Sequence, residues 1–234
     1  MEEDFIYWRH PSVPGIKVEE ISGGERYRGN VWFEMARQLY CENGKDAYRE
    51  LGHYANGAPF LYGENSRISI THCPGFFAVA TLPPTPEVDL NGYSDRAALG
   101  IDAERRDREQ VLKIRARFLS EEEMKTAGDS VESNILAWTV KEAAYKAALA
   151  SGLDFTQDVK IDRMPKLAPA TPVFDAREFG LAEGDKELPE DFYGEARVVL
   201  PEEERKFRIY SYLSDDVIVT LAFNQKSAKF GRLK

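Results

Sequence analysis

Alternation of apolar and polar positions marks the strands of this chain, and two stretches carry it most clearly. The first runs Ile68-Ser-Ile-Thr-His-Cys-Pro-Gly-Phe-Phe-Ala-Val-Ala-Thr-Leu82, the second Phe207-Arg-Ile-Tyr-Ser-Tyr-Leu-Ser-Asp-Asp-Val-Ile-Val-Thr-Leu-Ala222. Each reads as an alternating strand, a short turn (Pro74-Gly75 or Ser214-Asp215-Asp216) and an apolar, β-branched strand. Two such hairpins, one in each half, hint at an internal duplication. Helical spacing replaces alternation over residues 29 to 42, where Val31, Met35, Leu39 and Glu42 lie about one turn apart. A stronger helix is predicted over 133 to 150. Its stripe is Ile135, Trp138, Glu142, Tyr145 and Leu149, while Ala143, Ala144, Ala147 and Ala148 raise the propensity. Ser130 and Ser133 are candidate N-caps, and Gly152 is a natural C-terminal stop.

Polar, proline-bearing stretches separate these elements. Pro83-Pro-Thr-Pro86 through Asp95 reads as a linker between the first hairpin and a strand at Gly100-Ile-Asp102. Residues 165 to 192, with four prolines and acidic clusters, read as a surface excursion before a terminal run of strands. The order of elements predicts an α+β fold in two halves. These are residues 1–96, including the linker 83–96, and residues 97–234.

Composition narrows the classes. A length of 234 residues with 43% hydrophobic and 30% charged positions suits a globular protein with a real core. No apolar run reaches the roughly 18 residues of a membrane span, and the acidic start Met1-Glu-Glu-Asp lacks the pattern of a secretory signal. Cys41 and Cys73 form no CxxC pair, which suits reduced thiols in a cytoplasmic protein. A net charge of −9 argues against a general nucleic-acid binder. The basic run Arg105, Arg106, Arg108, Lys113, Arg115 and Arg117 opposes that global sign. Its ordinary reading is a solvated helix surface with internal ion pairs; its position also suits an acidic macromolecular partner.

The candidate chemistry follows from spacing. Asp102 and Glu104 are two apart at the end of an apolar stretch, so on a strand both side chains leave one face. Glu142 and Lys146 are four apart, neighbours on a helix. A carboxylate beside an apolar stripe needs a partner. Three carboxylates suit a Mg²⁺ ion, which takes carboxylates together with waters and phosphate oxygens. A lysine beside them suits a phosphate. No hydrolase triad, Walker loop or dinucleotide glycine motif is legible.

Gly100-Ile-Asp102-x-Glu104, Arg117-Phe-Leu-Ser-Glu-Glu-Glu123 and Trp138-x-x-Lys141-Glu142-Ala-x-x-Lys146 together resemble the signature of the 4′-phosphopantetheinyl transferases. Upstream, Ser69-Ile-Thr71-His72 is similar to that family's Ser-His element and Asn56-Gly-Ala-Pro59 to its Gly-Lys-Pro element. The length resembles the larger, surfactin-synthetase-activating type. That implies a pseudo-two-fold duplication of two similar halves, each a small antiparallel sheet packed with a long helix, and a monomer.

The resemblance implies transfer of the phosphopantetheine arm of coenzyme A to a serine of an apo acyl or peptidyl carrier protein, leaving 3′,5′-ADP. It further implies Mg²⁺ on Asp102, Glu104 and Glu142, with Glu142 and Lys146 as the catalytic pair. Lys146 and Lys141 would neutralise phosphate charge, with His72, Thr71 and Arg67 on the coenzyme A side. The basic run would meet the carrier's acidic helix. Ala58 stands where the family often has a basic residue, and Arg67, Arg26 and Arg28 are candidates to replace it. The same acids would equally serve a Mg²⁺-dependent pyrophosphohydrolase, and the fold without turnover would be a carrier-binding module.

Overall fold

A computed structural model describes residues 5–9, 16–22, 51–61, 67–82, 98–168 and 190–224. The helix expected over 29–42, the linker 83–96, Cys41, Arg26, Arg28 and residues 169–189 of the excursion lie outside them. The strands are β1 (Phe5–Arg9), β2 (Lys17–Ser22), β3 (Leu51–His53), β4 (Pro59–Leu61), β5 (Arg67–Cys73), β6 (Phe76–Leu82) and β7 (Leu99–Arg105). Then follow helices α1 (Gln110–Ile114), α2 (Glu121–Ala127) and α3 (Val131–Ala148). The last strands are β8 (Val159–Arg163), β9 (Leu167–Ala168), β10 (Tyr193–Val199), β11 (Glu204–Ser214) and β12 (Val217–Phe223). The α+β class read from the pattern holds. Strands β1, β2 and the small hairpin β3–β4 were not legible in it.

One sheet has the order β1-β2-β6-β5 and the other β7-β12-β11-β10-β8, with β9 beside β11. Both predicted hairpins form. Cys73 pairs Phe76 and Ser214 pairs Val217, closed by two-residue turns in which Gly75 (φ 78°) and Asp215 (φ 49°) take the left-handed conformation. The strand period then divides β12 between two cores. Val217, Val219, Leu221 and Phe223, with Leu99, Ile101 and Ala103 of β7, meet Val18, Phe76, Ala78 and Leu82 of the first sheet. Ile218 and Ala222 meet α3 on the other side. A strand covered on both faces is apolar at nearly every position, as β12 is. Glu20 of β2, 2% exposed, accepts hydrogen bonds from the hydroxyls of Tyr212 and Ser214 and so joins the sheets through a satisfied buried carboxylate. No helix among the described residues is long and apolar enough to cross a membrane.

Helix α3 departs from expectation in two ways. Ser130 is its N-cap, its hydroxyl accepting from the Ser133 amide at 3.4 Å, but the stop is Leu149, at φ 53°, rather than Gly152. Asn56 explains this, since its side-chain amide donates to the Leu149 carbonyl at 2.6 Å and satisfies a helix-end group from 93 residues away. Second, the fully buried face is built from Ile135, Val140, Ala143, Ala144, Ala147 and Ala148. Trp138, Glu142, Tyr145 and Leu149 form a half-buried rim instead. The cause is close approach: a Cβ on Gly100 would lie 2.0 Å from the Ala143 carbonyl oxygen and 2.7 Å from the Ala147 nitrogen. Small residues face each other where helix and strand nearly touch.

Candidate active site

Gly100, Asp102 and Glu104 share one face of β7, opposite the face on which Leu99, Ile101 and Ala103 enter the sheet–sheet core. That face looks onto α3, and the glycine lets the helix come near enough for Lys146 to reach Asp102. The Lys146 ammonium donates to Asp102 Oδ1 at 2.7 Å and to the Ile101 carbonyl at 3.0 Å. Strand β7 is an edge of its sheet, and β5 is an edge of the other. They meet through side chains. Ser69 Oγ accepts from the Ile101 amide at 3.0 Å, and the Thr71 hydroxyl donates to Asp102 Oδ1 at 3.2 Å. One edge peptide thus has its carbonyl taken by a lysine and an adjacent amide by a serine, which leaves no bare strand edge there.

Asp102 is buried, and burial pushes its carboxyl up from the usual range against the pull of Lys146 and Thr71. Its second oxygen, Oδ2, is buried with no hydrogen-bond partner among the described residues. Burial likewise raises Glu104, offset by Arg108, whose guanidinium donates to it at 2.6 Å, and by the Trp138 indole. Glu142 is half-buried and is pushed up to about 7, by burial first and then by the charge of Asp102, with Lys146 opposing and Glu104 adding. Burial lowers His72, and the Lys146 ammonium lowers it further while Asp102 opposes, so the imidazole shares this field. Three acids, a lysine and a histidine thus act on one another at the junction of β5, β7 and α3.

As placed, Asp102 and Glu104 are paired with cations of the chain itself, and no three His, Cys, Asp or Glu side chains among the described residues form a ready-made metal cluster. The residues nonetheless fit a hard divalent ion. The donors are carboxylate oxygens, as Mg²⁺ prefers, and the lone buried Oδ2 of Asp102 is the kind of atom such an ion satisfies.

The structure does not bring Lys141 to this group. Its ammonium, 0% exposed, donates to Glu123 Oε2, the Phe155 carbonyl and the Val159 carbonyl, each at 2.7 Å. Glu123 also accepts from the Ser120 and Ile161 amides, at 2.8 and 2.9 Å, completing a capping box on α2. Burial raises Glu123, but these bonds outweigh it and hold the carboxyl low. Lys141 therefore locks the segment after α3 rather than reaching a phosphate. Arg67 begins β5, half-buried, on the same alternation as Ser69 and Thr71. The basic run is largely answered within the chain. Arg105 pairs with Asp107 and Asp216, Arg106 with Glu132, Arg108 with Glu104 and Arg115 with Asp129.

Beside the acids lies a cleft of about 200 Å³, bounded by Asn56 to Pro59, by β5 at Ile68 to Ile70, and by Tyr145, Lys146 and Leu149 of the helix end. Sequence reasoning named Ser69, Arg108 and Tyr145 but gave none of them a role of its own in this site. Ser69 shares the two-residue period of Thr71, a usable signal. Arg108 and Tyr145 depend on nonlocal packing.

Residues 98–193 match the model of the 4′-phosphopantetheinyl transferase superfamily. That span contains Gly100-Ile-Asp102-Ala-Glu104 and Trp138 to Lys146, so the stretch carrying these motifs is similar to the family they resemble. No curated protein matches the chain.

Proposed function

We propose that the protein transfers the 4′-phosphopantetheine arm of coenzyme A to a serine of an apo acyl or peptidyl carrier protein, releasing 3′,5′-ADP. Mg²⁺ would be held by Asp102, Glu104 and Glu142. The family match supports phosphopantetheinyl transfer in general. The observation that carries the finer reading is the meeting of Asp102, Glu104, Glu142 and Lys146 beside a cleft within the matched stretch. The proposal includes the larger type of the family, with halves 1–96 and 97–234 and a monomeric chain.

In the reaction, the serine oxygen bonds to the phosphorus that carries the pantetheine arm. The bond from that phosphorus to the bridging oxygen breaks, and its electron pair leaves with 3′,5′-ADP. Glu142 accepts the serine proton, directly or through a water; the value near 7 belongs to the metal-free protein, and a bound divalent ion would favour the ionised, proton-accepting form. Lys146, on the wall shared by cleft and acids, places positive charge where phosphate oxygens arrive. When bound, Mg²⁺ supplies neutralisation of the pyrophosphate and stabilises the departing oxygen. Thr71 orients Asp102 rather than leaving its hydroxyl to the substrate, and His72 stands one residue on, at the exposed side. Transfer of this kind rests on positioning and charge, which this set provides.

The test is to mix the protein with Mg²⁺, coenzyme A and an apo carrier and to weigh the carrier by mass spectrometry. A gain of one phosphopantetheine per carrier, lost in Glu142→Gln, is the expected result. Breakdown of coenzyme A with an unmodified carrier would establish a pyrophosphohydrolase instead. Carrier binding with neither would establish a binding module.

A further inference from the structure

Lys146 occupies an unusual position between two environments. Its ammonium sits on Asp102 Oδ1 and the Ile101 carbonyl, while the residue also lines the cleft, and the side chain is 29% exposed. Asp102, by contrast, is 7% exposed and has one oxygen doubly engaged by Thr71 and Lys146 and the other bare. A buried carboxylate needs a counter-charge, and here the chain supplies its own. Arg108 does the same for Glu104, from a more exposed position (45%).

A divalent ion arriving at Asp102 therefore meets an ammonium already there. The two cations repel, and the carboxylates beside the lysine, Glu142 included, are the ones the ion would itself take, so the lysine gains little by leaving. A phosphate group in the adjoining cleft changes that. The four-carbon stem of a lysine is flexible, so rotation about its own torsions carries the ammonium from the carboxylate towards the cleft while the helix stays in place.

We propose that Lys146 is the resident counter-ion of Asp102, and that it makes divalent-ion and phosphate-ligand binding cooperative by transferring from the carboxylate to the phosphate. This rests on the reading of the cleft as the coenzyme A site and of Asp102 as an ion ligand. Linkage makes the effect reciprocal: coenzyme A tightens the ion and the ion tightens coenzyme A by one factor.

Mn²⁺ is a convenient probe because its free form is read directly by electron paramagnetic resonance. Titrated alone, Lys146→Met, which keeps the stem, is expected to bind Mn²⁺ about tenfold tighter than the wild type, a change of about 1.4 kcal/mol. Coenzyme A is expected to tighten Mn²⁺ by a factor about tenfold smaller in Lys146→Met, while Lys146→Arg keeps the wild-type coupling. Equal or weaker Mn²⁺ binding by Lys146→Met, or equal tightening by coenzyme A in both proteins, overturns the proposal. The wild type offers a check independent of any variant: the ¹⁵N signal of the Lys146 ammonium should move on adding Mg²⁺ with coenzyme A and stay nearly fixed with Mg²⁺ alone. A full shift with Mg²⁺ alone also overturns it. None of these readouts involves turnover, so an unmodified carrier in the mass assay would defeat the assigned reaction and leave the titrations to decide the lysine.

Discussion

Substituting Gly100 by alanine tests whether the contact of strand and helix is what assembles the acids. The new Cβ would lie 2.0 Å from the Ala143 carbonyl oxygen, about 1.4 Å short of ordinary contact, and 2.7 Å from the Ala147 nitrogen. Both obstacles are backbone, which no rotamer change removes. Helix α3 must therefore move off β7 by an ångström or more. The Lys146–Asp102 bond, now 2.7 Å, must then be remade by rotation of the lysine stem, while Glu142, on a shorter side chain, is carried away from the acids of β7. Overpacking of this severity costs about 3 kcal/mol, the upper end of the usual range. For a chain of this length that lowers the melting midpoint by about 6–12 °C, read by calorimetry or circular dichroism. Transfer should fall further than stability accounts for, by about a hundredfold at a temperature where the variant is folded, since misplacement near 1 Å has that effect. A variant with wild-type midpoint and wild-type rate would refute the reasoning, because the helix would not then depend on glycine to reach the acids.

Two further perturbations separate structural from chemical roles. Lys141→Met strips a donor from Glu123, Phe155 and Val159 and should lower the urea-unfolding free energy by about 3–5 kcal/mol. Coenzyme A affinity per folded molecule should stay unchanged; full stability with weakened coenzyme A binding would return Lys141 to the phosphates. Glu142 carries a pH signature. Its carboxyl is raised from 4.5 to about 7 in the folded protein, so the folded state holds the proton more tightly than the unfolded one. The stability this contributes is complete below about 4.5 and is lost as pH rises through about 7. Without divalent ions, wild type should lose stability across that window relative to Glu142→Gln, and parallel pH profiles of the two proteins would contradict the assignment.

The parts of the site that were legible rest on short-range periods. Asp102 and Glu104 share a face because the strand period is two, and Gly100 shares it for the same reason; Glu142 and Lys146 meet because the helix period is near four. Both periods survive any tertiary arrangement. Which face of α3 is buried does not follow from them. Side-chain size argues for Trp138, Tyr145 and Leu149, yet the sheet takes the alanines, because the site needs the backbones close together. Glu20 with Tyr212 was out of reach for another reason: its partners lie about 190 residues apart in sequence, and no local pattern announces them.

Lys141 shows where motif reading stops. It precedes Glu142 by one residue, about 100° around the helix, so it cannot share the direction of Lys146, and that much is geometry of the element alone. What lies in its own direction is set by Glu123 on another helix and by the carbonyls of Phe155 and Val159, all brought there by packing. The stretch Trp138 to Lys146 therefore carries two functions on two sides. Trp138, Glu142 and Lys146 address the acids of β7, and Lys141 fastens the segment beyond the helix. Burial tells the lysines apart, 0% against 29%. An ammonium enclosed by three acceptors cannot leave to meet a substrate, whereas one shared between a carboxylate and an open cleft can.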